Sequence, residues 1–584
     1  MSATQLIERV QARLRALIRS SEPYFLLFAA AIGVVSGAAV ALIGLVTQAL
    51  HVLLFAIEPD SRLSAAPAIE PAWRCAAPIA GGLLLGALLF AFRKPRPPIV
   101  DPIEANALHG GRMSLADSLR VGVENMISNG FGASVGLEAG YTQVAGGIAS
   151  AIGMRLGLRR SDLRLAVGCG AAAAIAAAFG APLSGAFYGF ELIIGVYSIA
   201  NVAPVMIAAL CGYLTASGLG LTPHAVEIPG TFHVAAADYP PFLLLGLLLG
   251  LLAIGIMRLI TLVERGFALS RLPRFARPAI GGAAVGLMAL VTPQALSAGH
   301  GALYLNLETE TTIGTLALVI VLKIAATSSS IGAGFRGGMF FASLFLGALC
   351  GKLFALLIAL VAPGYAVDPT VTAIVGMSAL GVGVIGGPLT MTFLALEATG
   401  DLALTGIVLA ASILSSLTVR ELFGYSFSTW RLHLRGETIR GAQDVGLLRD
   451  LTVGRMMRTD VRTVLATLRL DAFRSAFPLG STQRVVVVDP AGTYFGIVVV
   501  ADAHGTQPDD EATVADICRY RDAVLLPQMG AREAATAFDR AESEELAVVD
   551  DPAGRRVIGF LSEAYLMRRY AEELDKARRD LSGE

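Results

Sequence analysis

The stretch GCGAAAAIAAAFGAPLSGAFYGFE, residues 168–191, returns in altered form as GMSALGVGVIGGPLTMTFLALE, residues 376–397. Gly170 aligns with Gly376, Pro182 with Pro388 and Glu191 with Glu397, all 206 positions apart. Upstream, GLEAG (136–140) falls opposite GMFFA (338–342), 202 positions apart. Chance likeness between Ala/Gly-rich helices is the plainer alternative, and four landmarks at nearly one spacing argue against it. The region is a duplicated unit, each half carrying a glycine-rich helix start and then a helix pair.

Composition says where such a unit lives. Of 584 residues 55% are hydrophobic and 16% charged, with a mean hydropathy of +0.66. An average soluble domain carries about 25% charged residues, so this is a membrane protein. The 64 glycines agree, since glycine is commoner in transmembrane helices than in soluble ones. A formal net charge of -1 argues against a nucleic-acid partner. Cys75, Cys169, Cys211, Cys350 and Cys518 are scattered singly, so neither a disulfide framework nor a metal site is expected. No nucleophile–base pair stands out, and no enzyme is expected.

Apolar segments follow one another at 24–56, 75–92, 163–180, 182–196, 202–221, 241–263, 278–292, 312–327, 338–362, 370–385, 388–398 and 402–418. Several fall short of the ~20 residues of a straight span, and many are broken by glycine or proline. Broken segments in a polytopic chain mark helices that stop at mid-membrane to build a site. Ahead of them, LIERVQARLRALIR (6–19) spaces Arg9, Arg13, Arg15 and Arg19 as in a helix lying on the cytoplasmic surface.

Near residue 430 the composition turns soluble. TVGRMMR (452–458) recurs as TVADICR (513–519), and VVVVDPAG (485–492) as AVVDDPAG (547–554). Short apolar runs alternate with helical stretches, which reads as a tandem α/β module. RLHLRGETIR (431–440) joins it to the last membrane segment and holds it in the cytoplasm. The expected layout is a surface helix over 1–22 and a membrane domain over 23–430, with repeats at about 23–222 and 240–430. A linker over 431–450 leads to the module over 451–584, its copies at about 451–511 and 512–575.

A helix whose N-terminus ends inside the membrane exposes unpaired N–H groups and the positive end of its dipole. An anion satisfies those donors where water does not. GLEAG and GGMFFA both fit such a start, one from each repeat. An ion held by dipoles alone can also leave, as permeation requires. Glu138 then has a physical role: its carboxylate occupies an anion position, and opens the path when protonated or swung aside. Burying it without use costs about 2.5–3.5 kcal/mol on insertion scales. The plainer alternative is a satisfied structural carboxylate facing another helix.

These residues resemble the CLC chloride channel and transporter family followed by a pair of CBS domains, over roughly residues 24–584. The resemblance implies an all-α polytopic membrane protein with an inverted internal repeat, then an α/β tandem CBS module. It also implies a homodimer in the inner or plasma membrane, with each subunit carrying its own pore and both termini cytoplasmic. GLEAG is similar to the family's GREGP motif, whose glutamate is the gate, so Glu138 inherits that role, flanked by Gly136 and Leu137. GGMFFAS looks like the family's GGxFxP segment, which implies that Gly338, Met339 and Phe340 hold the anion. AAAFGAPLSGAFYGFE and GGPLTMTFLALE resemble the subunit-interface helices.

Departures from the family pattern bear on mechanism. The family's GSGIP serine falls on Pro98 within PPIVDPIEA (97–105), as in nitrate-preferring members. The pore tyrosine falls on Phe427 in GYSFSTW (424–430), with Tyr425 two positions away as the other candidate. Proton-coupled exchangers carry an inner glutamate one position after Glu191, and Leu192 stands there. The expectation is a passive, glutamate-gated chloride channel, with a proton-coupled chloride or nitrate antiporter as the alternative. In the CBS pair, the nucleotide positions carry Asp502 without a hydroxyl at Val499, and Ser562 without an acid at Tyr565. Each half-site is incomplete, so no cofactor is expected, with an adenosine nucleotide as the option the pair leaves open. His504 reads as a solvated loop residue.

Overall fold

A computed structural model of the chain describes residues 22–66, 69–91, 98–220, 226, 228, 230, 232, 239–363, 367–436, 439, 451–505 and 512–582. It divides into two units, Met1–Asp444 and Val445–Glu584. The expected surface helix over 1–22 and most of the expected linker lie outside the described residues.

The first unit is helical throughout. Its first half runs α1 (Glu22–Phe55), α2 (Pro71–Ala91), α3 (Pro102–Leu108), α4 (Leu115–Gly130), α5 (Glu138–Arg155), α6 (Arg160–Phe179), α7 (Pro182–Tyr188) and α8 (Ile199–Gly218). The second half repeats that order as α9 (Tyr239–Leu269), α10 (Arg277–Val291), α11 (His300–Glu308), α12 (Ile313–Ala333), α13 (Phe340–Val361), α14 (Pro369–Ile385), α15 (Pro388–Thr399) and α16 (Leu402–Leu422). The half ends in α17 (Phe427–Leu434). Eight helices among the described residues are long and apolar enough to cross a membrane, and α10 and α14 are shorter apolar ones.

Local chemistry explains the repeat's turns. Gly180 closes α6 and Gly386 closes α14, both left-handed, with φ of 67° and 91°. A side chain at either position would strain that conformation. Pro182 and Pro388 then start α7 and α15 at the first turn, where a missing N–H costs no bond. Contacts between the halves are reciprocal, as a twofold relation requires. A Cβ on Gly82 of α2 would strike the Pro278 carbonyl of α10, and one on Gly282 of α10 would strike the Pro78 carbonyl of α2. The same small-residue logic brings α13 onto α14, where Gly347 and Gly376 each face the other's carbonyl. Helices in lipid associate through such close backbone approach, because apolar side chains gain nothing by leaving lipid for each other.

The second unit holds two three-stranded sheets of the same design. The first is β1 (Thr463–Leu465), β2 (Arg484–Val488) and β3 (Tyr494–Val499); the second is β4 (Val524–Leu525), β5 (Glu545–Val549) and β6 (Val557–Ser562). In each, the outer pairing is parallel, the inner one antiparallel, with an irregularity at Val487/Val488 and again at Val548/Val549. The copies exchange edges. Arg458 and Phe560 trade backbone bonds of 2.8 and 2.9 Å, and their counterparts Arg519 and Ile497 trade two of 2.9 Å. His504 is not in a loop: it sits on the helix Val500–Gly505, and its Nε2 bonds the Phe477 carbonyl at 2.9 Å.

Candidate anion site

Two helix starts meet at the middle of the first unit. α5 begins at Glu138 and α13 at Phe340, and the residues before them pair. The Gly136 N–H donates to the Gly338 carbonyl at 2.8 Å, and the Gly338 N–H donates back at 3.2 Å. The pairing aligns two helices from opposite repeats. It also leaves the amides of Met339, Phe340 and Glu138 free of strand bonds, at the positive ends of both dipoles.

Small polar side chains hold both approach loops. Ser330 Oγ of α12 accepts from the Ser134 N–H at 3.0 Å, and its counterpart Ser128 Oγ of α4 accepts from the Arg336 N–H at 3.0 Å. Asn125 bridges the two loops. Its amide group donates to the Gly136 carbonyl at 3.1 Å and the Arg336 carbonyl at 3.0 Å, while its oxygen accepts from the Gly140 N–H at 2.9 Å. Every polar group of this side chain, 1% exposed, is committed to the helix starts.

In front of the helix starts lies a cavity of about 730 Å³. Pro98, Glu138, Gly338, Met339, Phe340 and Phe427 all line it. Gly136 and Leu137 do not: Gly136 is paired with Gly338, and Leu137 lines a separate small void. Phe427 reaches the cavity because Ser426 caps α17 and makes Phe427 its first residue. Tyr425 lies outside the lining, stacked on His433 with ring centres 4.5 Å apart and its hydroxyl 3.2 Å from Nδ1. Asp101 caps α3, accepting from the Glu104 N–H at 2.8 Å, and so fixes the chain that carries Pro98.

Charges of both signs line the cavity. Arg265, Arg336, Arg431 and Arg435 line it, against Asp101, Glu138 and Glu264. Arg336 is held at 2.9 Å by Glu124, and Arg435 at 2.9 Å by Glu104. Arg431 stands over the Phe427 ring, 5.9 Å from its centre.

Glu138 itself is 3% exposed, and its carboxylate is set against backbone N–H groups of the two helix starts, its own and that of Phe341. Its Oε1 faces His300 Nε2 at 4.0 Å.

Sequence reasoning missed Tyr188. It lines the cavity, packs on Phe340 with ring centres 6.1 Å apart, and turns its hydroxyl to Thr142. A signal was present, because Tyr188 falls opposite Leu394 in the repeat, a polar group where the other half is apolar. Leu192 is buried among Ile103, Val167, Ile193 and Leu432. In the second unit, Asp502 is taken by Arg519 at 2.7 Å, and Ser562 ends β6.

The geometry has counterparts. A family described as "Voltage gated chloride channel" matches residues 81–420, more than half of the 584-residue chain. The chain is 32% identical over 347 residues to a putative chloride channel protein ClcB-like of Ralstonia nicotianae, covering 58% of this chain and 81% of that one. It is 29% identical to a voltage-gated ClC-type chloride channel ClcB of Citrobacter koseri, covering 68% and 96%. Among solved structures, a slow cyanobacterial Cl-/H+ antiporter aligns with a TM-score of 0.62 at 23% identity, covering 70% of this chain and 97% of the other. A eukaryotic CLC transporter aligns with a TM-score of 0.58 at 18% identity, covering 94% and 98%.

Proposed function

Because the chain belongs to the voltage-gated chloride channel family, we propose that it passes chloride, with nitrate as competitor, through the cavity in front of Phe340. Glu138 is the gate. The observation that carries this reading is a buried carboxylate set against the amides of Glu138 and Phe341, at a helix start that closes a cavity lined by four arginines. In that position the carboxylate takes the place of the anion it admits. As pH falls it takes up a proton, loses its charge and gives way, so flux rises toward acid.

Passive conduction is the reading we favour over exchange. Leu192, which carries no titratable group, stands at the position of the exchangers' inner glutamate and packs among apolar side chains. One observation favours the second reading, a proton-coupled chloride or nitrate antiporter: Asp101 and Glu264 line the same cavity. Proteoliposomes loaded with chloride or nitrate separate the two. Anion efflux that needs a potassium shunt and moves no protons uphill identifies a channel. Efflux that drives protons inward against their gradient identifies the antiporter and sinks the channel reading.

The assembly we propose is a homodimer in the inner or plasma membrane, with both termini in the cytoplasm. The C-terminal unit is proposed as a tandem CBS pair. Its two like sheets with exchanged edges support that reading, as does the eukaryotic alignment, whose 94% coverage extends into this unit. The unit acts in regulation or dimerisation, and no enzymatic activity is proposed. Crosslinking in native membranes tests the dimer, and a single monomeric species would refute it.

A further inference from the structure

Behind the Glu138 helix start lies a second, small void of about 20 Å³, lined by Gln48, His51, Arg62, Asn129, Ser297 and His300 with a few neighbours. It shares no lining residue with the large cavity. A void of that size holds about one water, and its lining is polar. Arg62, at its rim, is exposed and lies in the connection between α1 and α2. Exposed Arg62 and His300 thus line one void that is separate from the anion cavity.

His300 is the first residue of α11, its ring stacked on Phe341 with centres 3.7 Å apart. Its side chain is 10% exposed, and its Nε2 lies 4.0 Å from Glu138 Oε1. That gap is closed by a small side-chain rotation or one water, the reach that proton transfer requires. The groups around the pair are fixed. His51 of α1 bonds the Asn129 carbonyl of α4 at 3.0 Å, and Lys323 of α12 donates to the Ser297 carbonyl at 2.6 Å. Tyr141, one turn along α5 from Glu138, is fully buried, and Arg62 is the cation at the rim. Glu138 is the acid facing His300.

We propose that His300 is the proton-transfer residue through which Glu138 exchanges protons with the side of the membrane opposite the anion cavity. This rests on the reading of Glu138 as the gate. In the forward step the Nε2–H bond of the imidazolium breaks and an O–H bond forms on Glu138 Oε1. Neutral imidazole and a neutral carboxylic acid result. Water at the Arg62 rim then returns a proton to Nε2. The reverse sequence recharges Glu138 and closes the gate. The anion path and the proton path thus meet only at one carboxylate.

The test uses the full-length protein in oriented proteoliposomes, with pH set independently on each side and flux followed after an acid jump. Wild type should activate when the His300 side is acidified. His300→Gln and, as a second variant, His300→Asn should slow that activation at least about tenfold. Their response to acid on the cavity side should stay within twofold of wild type. Free imidazole added on the His300 side should restore part of the rate in His300→Ala. Unchanged activation rates in the variants, beside a pH-insensitive Glu138→Gln, would overturn the role of His300 alone. Retained pH dependence in Glu138→Gln would instead overturn the gate.

Discussion

Glu191 and Glu397, 206 positions apart in the two repeats, each cap the start of the helix that leads to the other. The Glu191 carboxylate accepts from the N–H groups of Leu389 and Thr390 at 3.0 and 2.8 Å, at the start of α15. The Glu397 carboxylate accepts from Leu183 and Ser184 at 2.7 and 2.8 Å, at the start of α7. Each helix start thus has its orphan donors met by an anion from the opposite half. The aromatic pair Phe187–Phe393 stacks between them with centres 4.2 Å apart. The same physics that would bind a permeant anion at Glu138 and Phe340 is used here permanently, with a tethered carboxylate.

Removing either carboxylate should therefore destabilise the membrane unit. Charge-assisted bonds of this kind contribute about 1.5–3 kcal/mol. Glu191→Gln and Glu397→Gln should each lower the thermal transition of the detergent-solubilised protein, and Glu→Ala more than Glu→Gln. Transitions equal to wild type in both would show that the helix starts are satisfied some other way.

The repeat landmarks, the two helix starts and the switch to a soluble module were legible because each has a compositional or spacing signature. The helices that build the site were not. α4 reads as LADSLRVGVENMISNG, with Glu124, Asn125, Ser128 and Asn129 on it. No hydropathy window picks out such a segment, although those side chains are what hold the loops. α3 and α11, of 7 and 9 residues, are too short to show a period. Gly136 and Leu137 read as anion ligands from their motif, but neither lines the cavity, and the pairing of Gly136 with Gly338 depends on a partner 202 positions away. His300 stands between two glycines with no motif around it, and only the fold brings it to Glu138.

Asn125 should be the least replaceable of the supporting residues. Asn125→Leu leaves two carbonyls and one N–H without their bonds, at about 1–3 kcal/mol for each buried group left unmet. Anion flux should fall at least tenfold, with protein yield also reduced. Asn125→Asp, which keeps the acceptor for Gly140 and loses both donors, should lie between wild type and Leu. Flux retained in Asn125→Leu would mean that the helix starts hold their alignment without it.

In the C-terminal unit, Asp502 is already engaged by Arg519, with side chains 38% and 60% exposed. An exposed pair is worth about 1 kcal/mol or less. An adenosine nucleotide whose ribose used Asp502 would have to displace that arginine. Arg519→Ala should then tighten nucleotide binding by up to about fivefold in calorimetry, the factor that 1 kcal/mol gives. Looser binding in Arg519→Ala would place the arginine on the nucleotide's phosphates instead. No heat from wild type or variant would leave the unit without a nucleotide role.

Selectivity should respond to three positions in different ways. Pro98 and Phe427 line the cavity without a side-chain hydroxyl, which leaves the backbone amides and the Tyr188 hydroxyl as its candidate donors. Thr142, which that hydroxyl faces, spends its own proton on the Glu138 carbonyl at 3.0 Å. With that proton spent, the Tyr188 hydroxyl donates to Thr142 Oγ1, and an anion in the cavity draws it only in competition with that bond. Pro98→Ser adds a donor and should raise the chloride-to-nitrate flux ratio; Phe427→Tyr should do the same more weakly, since the Arg431 guanidinium already covers that ring. Tyr188→Phe removes a donor at almost constant volume. It should weaken anion binding by about fivefold to tenfold, the worth of one hydrogen bond of about 1 kcal/mol or slightly more, with the gate's pH response intact. Equal chloride and nitrate fluxes in wild type and all three variants would show that the amides of Met339 and Phe340 alone set the choice.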